Sequence, residues 1–339
     1  MKKKTIGLIL LGIILTGAFS AWKIFGPTVS APEKKYFYIR TGDTYDIVKN
    51  NLTENKIIGG DFWFNLLAKK LNYATRVKAG RYEIKNGMSI FNLVRMLRSG
   101  NQAAVNLVIT KLRTKEDLAQ KIAVNFECDS LTVISLLNNT DSLQKYHLDS
   151  NTVMTAVIPN TYSILWNTPA ARIFKKLYTD QEKFWNEDRR KKAAALNMTP
   201  QQVYTMASIV EEETTKDADR GKVASVYINR VKSGQRLEAD PTIKFALRNF
   251  GLKRIWNTHK QAAANSPYNT YFVAGLPPGP ICTPSSKTID AVLNAPATNY
   301  IFFVAKPDWS GLSNFTDSYE EHLLNAKKYQ HFLDSVNIK

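Results

Sequence analysis

The run Met206-Ala207-Ser208-Ile209-Val210-Glu211-Glu212-Glu213-Thr214 ends a helical apolar pattern in three consecutive acids. At roughly 100° per residue, Val203, Met206, Ala207, Ile209 and Val210 form one apolar arc. Glu213 falls inside that arc, near Met206 and Ile209. Glu211 lies at its rim, and Glu212 points roughly opposite, toward solvent. A carboxyl group on a buried face loses hydration, which disfavours its charged form and raises its pKa, as a general acid near neutral pH requires. The competing reading is a solvated helix end, but acids there oppose the helix macrodipole. Either something else favours them, or the helix continues past Thr214.

Outward from this run, helical periodicity covers Pro200 to Val231 and most of Thr114 to Leu196, interrupted at Ile158-Pro159-Asn160-Thr161-Tyr162. The last part mixes loops rich in Pro and Gly with a buried strand, Tyr300 to Val304, and closes with a helix from about Tyr319 to Val336. This interleaving predicts a mixed α+β domain over residues 109–339 rather than a bundle.

Toward the N-terminus a smaller unit is predicted at residues 36–108. A strand at Tyr36 to Ile39 leads through Thr41-Gly42-Asp43-Thr44 into a helix with Ile47, Val48 and Leu52. The device recurs as Arg81-Tyr82-Glu83-Ile84, Asn86-Gly87-Met88-Ser89, then Ile90, Leu93, Val94 and Leu97. Each copy is a strand, a Gly turn, a Thr or Ser cap and an amphipathic helix. The arrangement resembles the LysM module, which implies binding of N-acetylated glycans; a purely structural spacer is the other reading.

Before that unit, Met1-Lys2-Lys3-Lys4 precedes an uncharged stretch from Thr5 to Trp22. About eighteen such residues just span a bilayer, and the lysines hold the N-terminus in the cytoplasm. Small residues around Ala18-Phe19-Ser20-Ala21 also permit a cleaved signal peptide, whereas Trp22, Lys23 and Phe25 favour a retained interfacial anchor. The expectation is a single-pass inner (plasma) membrane protein: anchor at 1–26, lipid contact through residues 5–25, a linker at 27–35, and a periplasmic or otherwise extracytoplasmic remainder.

The 339 residues, 44% hydrophobic and 22% charged, suit two or three folded units. The net charge of +17, from 46 basic against 29 acidic residues, fits an anionic polymer or membrane surface. Export argues against nucleic acid. The two cysteines, Cys128 and Cys282, and the four histidines have no ligand spacing, so no metal and no cofactor are expected. A Cys128–Cys282 disulfide is compatible with an oxidising compartment but has no support in spacing. No histidine follows Cys282 closely enough in sequence to suggest a nucleophile.

Four runs then succeed one another: Ala207 to Thr214; Val226-Tyr227-Ile228-Asn229-Arg230; Ala239-Asp240-Pro241-Thr242; and Ser266-Pro267-Tyr268-Asn269-Thr270-Tyr271 with Gly275-Leu276-Pro277-Pro278-Gly279-Pro280. Their order and content resemble the endolytic murein transglycosylases (the MltG or YceG-like family). The resemblance implies an anchor, a LysM-like subdomain and a catalytic domain that cuts nascent peptidoglycan strands. It also implies assembly with cell-wall synthases. The second glutamate of the family's Glu-x-Glu-Thr motif falls on Glu213, the residue the helical arc selects. The chain departs from the family at Leu312-Ser313-Asn314-Phe315, where a Gly-His-x-Phe run is frequent, and at Leu323, where an Asn follows the histidine.

Cleavage of a β-1,4 bond needs an acid for the leaving oxygen and stabilisation of an oxocarbenium-like transition state. A lytic transglycosylase manages with one carboxyl group, because the muramyl C6 hydroxyl attacks its own C1. Glu213 is the expected catalytic residue; Glu211, Asn229, Asp240, Thr242, Asn269 and Tyr271 are expected to bind or orient substrate. Tyr268 is a second candidate for stacking on a sugar. Two alternatives remain: a muramidase-type hydrolase using Glu213 with Asp240, and a non-catalytic glycan-binding scaffold.

Overall fold

The structure, a computed structural model, describes residues 2–335. Its chain divides into two compact units: residues up to Leu107 with Val124–Cys128 and Ser163–Pro169, and Val108–Ala123, Asp129–Tyr162 and Ala170 onward. Both mix helices with two-stranded sheets.

In the first unit α1 (Lys2–Phe25) is followed by β1 (Tyr36–Ile39), α2 (Tyr45–Glu54), α3 (Phe62–Lys70), β2 (Gly80–Glu83) and α4 (Ile90–Ser99). Strands β1 and β2 pair antiparallel, with Tyr36 opposite Glu83 and Ile39 opposite Gly80. The Thr44 and Ser89 side chains accept from the backbone N–H of Ile47 and Asn92, capping α2 and α4. Each cap satisfies an N-terminal donor that the helix leaves unpaired. Gly100, at φ 72° in the left-handed region, ends α4. Val48, Leu52, Leu93, Val94 and Leu97 bury their apolar faces with Ile39 and Tyr82 in one core, each worth about 1.5–3 kcal/mol.

Two features differ from expectation. Helix α3 lies between the repeats, where no helix was predicted. The segment read as a linker from residue 27 is built into the unit: Val29 is 2% exposed and bridges both Ile58 and Met88, and Ala31 N–H donates to Asn86 Oδ1. An apolar Val at that position buries more favourably than it solvates.

Strands β3 (Val105–Ile109) and β4 (Asn160–Ile164) hold points at which the chain passes between the units. The second unit contains α5 (Lys115–Asn125), α6 (Ser130–Asn138), α7 (Thr140–Gln144), a 3-10 turn at Val153–Ala156, α8 (Ala170–Phe184), α9 (Glu187–Ala195), α10 (Pro200–Glu213) and α11 (Asp217–Lys232). It continues with α12 (Asp240–Ala246), α13 (Asn257–Ala262), α14 (Ser286–Leu293), β5 (Phe302–Ala305), β6 (Ser313–Thr316) and α15 (Tyr319–Ser335). Val336, where the last helix was expected to end, lies outside the described residues.

Helix α10 is the centre of this unit. A Thr199–Gln202 capping box with Pro200 starts it, and every residue from Val203 to Val210 is buried. The apolar arc is therefore only part of its contact surface, because the helix is enclosed on all sides. Its polar positions are satisfied internally: Ser208 Oγ donates to Thr205 O and accepts from Ile281 N–H, and Tyr204 donates to Val157 O. Helices α11 and α14 pack on it through Val223, Ala224, Ile289 and Val292.

Candidate active site

Glu213 is the last residue of α10, half-buried, where the enclosed helix meets a cavity of about 300 Å³ in the second unit. Five segments supply the other walls. Tyr227 and Arg230 come from one face of α11, three residues apart; Leu237, Glu238 and Asp240 come from the loop entering α12. Tyr271 follows α13, and Phe302, Phe303 and His322 come from β5 and α15.

Tyr227 O–H donates to Glu213 Oε1 at 2.8 Å, leaving Oε2 as the oxygen to carry a proton. Tyr271 O–H donates to Asp240 Oδ1 at 2.7 Å, and the Lys260 ammonium lies 3.8 Å from the Tyr271 ring centroid. Arg230 is fixed by donation to Ile301 O at 2.7 Å and Leu237 O at 3.0 Å, and it pairs with Glu238 at 3.3 Å. Phe303 meets Tyr227 edge-on at 6.0 Å, and the Phe302 ring stacks on His322 at 5.0 Å.

Burial raises the Glu213 pKa to about 7. The Tyr227 hydrogen bond opposes that shift, Asp240 and Glu212 reinforce it, and Lys244 opposes it. At neutral pH a large share of the carboxyl is therefore protonated and able to donate. Burial also lifts the Tyr227 and Tyr271 phenols far above their ordinary value, so both remain donors. His322 is pulled down by burial and by Arg230, which keeps its imidazole neutral at pH 7. Its Nδ1 is buried with no hydrogen-bond partner among the described residues.

The residues expected from sequence separate into two groups. Glu213, Asp240 and Tyr271 meet in the cavity. The others turn away from it. Asn229 Nδ2 donates to Thr298 O and Tyr300 O at 2.8 and 2.9 Å. Asn269 is fully buried and donates to Lys260 O and Ala263 O. Thr242 Oγ1 donates to Ala239 O and meets Thr270 Oγ1 at 2.9 Å. Asn269 and Thr242 hold the loops that present Asp240 and Tyr271, and Asn229 holds the segment leading into β5; none of the three lines the cavity. Tyr268 packs on Phe245 at 4.7 Å instead of lining it.

Glu211 accepts from Ser285 N–H, Ser285 Oγ at 3.0 Å and Thr288 Oγ1, which ties α10 to the N-terminus of α14. Glu212 does not face solvent as expected: its side chain is 16% exposed and pairs with Lys111 at 2.9 Å and Arg113 at 3.2 Å. Burial acts to raise its pKa, but the two cations outweigh burial and hold it below the ordinary value. A helical projection cannot see the segment that covers that face. Cys282 is a buried free thiol whose pKa burial pushes up, so it is no nucleophile.

Sequence reasoning missed Tyr227, Arg230, Glu238, Phe302, Phe303 and His322. A signal existed for the first two, since they sit in the Val226–Arg230 run at helical spacing. The aromatic residues of β5 and His322 come from far along the chain, with no local signal.

The YceG-like family matches residues 37–328. The endolytic murein transglycosylase of Bacillus subtilis is 28% identical, over 94% of this chain and 91% of its own length. That of Streptococcus pneumoniae is 25% identical over 89% of this chain, which spans only 60% of that relative. A crystal structure of a yceG-like protein from Listeria monocytogenes superposes with a TM-score of 0.56 at 25% identity, over 86% of this chain and 99% of that one.

Proposed function

This chain belongs to the YceG-like family, and we propose that it is an endolytic murein transglycosylase in which Glu213 is the sole acid and base. One observation carries the reading: a carboxyl group with a pKa of about 7 lines a polar cavity, with one oxygen held by Tyr227 and the other able to donate. Glu213 protonates the glycosidic oxygen as the muramyl C1–O bond breaks. The C6 hydroxyl of the same sugar attacks C1, a C1–O6 bond forms, and the hydroxyl proton passes to the Glu213 carboxylate. The acid is regenerated and no water is consumed. Asp240, held by Tyr271, is placed to offset positive charge that develops at C1. The products are a free N-acetylglucosaminyl end and a 1,6-anhydro-N-acetylmuramyl end, which stops growth of that strand.

The presence of Asp240 in the same cavity supports one rival, a hydrolase using both carboxylates. Product mass on defined glycan strands separates them. The anhydro end is lighter than a reducing end by one water, and exclusively anhydro ends are expected; a full set of reducing ends contradicts transglycosylation. Binding of strands without cleavage under any condition favours the scaffold reading.

The surroundings fit this activity. Residues Lys3–Phe25 form one helix long and apolar enough to span a bilayer, with mean hydropathy 2.0, which supports a single-pass anchor with Lys2, Lys3 and Lys4 on the cytoplasmic side. The two capped strand–helix devices around the β1–β2 pair support a LysM-like, glycan-binding role for the first unit. Cell-wall synthase complexes are the partners that family membership suggests.

A further inference from the structure

Helix α1 does not end in a free tether. Ser20, Lys23 and Ile24 are half-buried while Ala21, Trp22 and Phe25 stay exposed, and the spacing places the first three on one face. Ile24 packs against the core of the first unit. The Phe25 ring lies 5.3 Å from Phe91 in the first turn of α4. Beyond the helix, Gly26 N–H donates to Trp22 O at 2.7 Å and Thr28 Oγ1 to Lys23 O at 3.2 Å. Val29 then bridges Met88, just before α4. The N-terminal part of α4 is thus fixed to the last turn and a half of α1.

With α1 read as the membrane span, Trp22 and Lys23 mark the headgroup level, where an aromatic ring and a lysine stem are both favoured. Anything held rigidly against residues 20–25 lies at that level too. Helix α4 carries an open concave surface of about 660 Å³, lined by Met88, Asn92, Arg95, Met96, Ser99 and Asn101. Its lining is mainly apolar, and Arg95, exposed to solvent, is the one charged group among those six. Arg98, one turn further and also exposed, adds a second positive charge to the same helix.

We infer that this surface seats an anionic phospholipid of the leaflet from which α1 emerges. The Arg95 guanidinium forks onto the phosphodiester, a match in geometry as well as charge. Met88 and Met96 cover the adjoining apolar part of the lipid with adaptable side chains. Asn92 and Asn101 offer amide groups to the glycerol or the headgroup. Occupancy would fix the tilt of the first unit on the bilayer, beyond what one helix imposes. The inference rests on the anchor reading of α1, not on the cleavage chemistry.

The test uses the full chain in nanodiscs of phosphatidylcholine with a minor fraction of phosphatidylglycerol, followed by native mass spectrometry of the lipid retained on release. Wild type is expected to retain phosphatidylglycerol preferentially. Arg95→Gln should lower that retention about fivefold, the effect of one basic residue at an anionic surface, and Arg95→Lys, which keeps the charge but not the fork, should fall between the two. Equal melting temperatures confirm that the exposed substitution leaves the fold intact. Equal retention of the two lipids, no change in Arg95→Gln, or full displacement by inorganic phosphate overturns the site. Failure of wild type to enter the nanodiscs at all refutes the anchor reading instead, and the site with it.

Discussion

Replacing Glu213 with glutamine is expected to abolish strand cleavage and at the same time to stabilise the protein above neutral pH. The loss of activity follows from the two roles of one carboxyl group: the amide cannot give up a proton to the leaving oxygen or take one back. General acid–base catalysis by a positioned group contributes about 10²–10⁴-fold, and removal of both functions belongs at the upper end. The stability effect has the opposite sign. The Glu213 pKa is about 7 in the folded state against an ordinary value of 4.5, so the folded protein binds the proton more tightly. Its contribution is fully present below pH 4.5 and is lost as pH rises through 7. Above that window the carboxylate costs about 3 kcal/mol relative to a neutral group of the same shape, and Glu213→Gln removes the cost. Thermal unfolding at pH 5 and pH 8, beside a cleavage assay, checks both halves. A variant that is inactive and equally destabilised at both pH values would mean that Glu213 is a structural group.

Replacing Glu211 with alanine should do the reverse: it should leave the chemistry and damage the fold. Glu211 accepts three hydrogen bonds from Ser285 and Thr288 at the start of α14, a helix whose Ile289 and Val292 pack in the same core as α10. Alanine leaves the Ser285 N–H without its partner and takes a negative charge from the N-terminus of α14, where the helix dipole favours one. A loss of about 2–3 kcal/mol is expected, which for a unit of this size lowers Tm by roughly 5–10 °C. Below that temperature kcat should stay within a few-fold of wild type. The expected signature is a lowered Tm with near-normal turnover at low temperature. Loss of turnover with an unchanged Tm would place Glu211 in the substrate site instead.

The contrast between these adjacent acids shows what a sequence carries. Glu213 was legible because a 3.6-residue period reports which side of a helix faces the core, and an acid on that side is conspicuous. Glu212 was misread by the same device: its outward face is covered by the segment bearing Lys111 and Arg113, and no periodicity reports a cover drawn from a hundred residues away. The strand–cap–helix device of the first unit was legible through Thr44 and Ser89, since capping is local chemistry. Helix α3 was not, because its buried Phe64, Leu67 and Ala68 lie in a run too short to fix a period.

The polar residues of the other runs were located without their roles. Asn229, Asn269 and Thr242 are placed by type where a sugar could meet them, yet each spends its donor on a backbone carbonyl. Sequence does not distinguish an amide that grips a loop from one that grips a ligand. Tyr227, in the same run as Asn229, is unmarked in the sequence for a related reason. The phenol becomes important only through its bond to Glu213, a contact between two helices. The segment around Ser313, where the chain departs from the family pattern, forms β6 against β5 and so backs the strand that carries Phe302 and Phe303.

The most direct check of the proton-donor reading is a titration of the Glu213 carboxyl carbon by ¹³C nuclear magnetic resonance, assigned by its absence in Glu213→Gln. A midpoint near pH 7 is the result expected of a carboxyl group kept partly dry beside Tyr227. A midpoint near 4.5, the ordinary value for a glutamate in water, would contradict it.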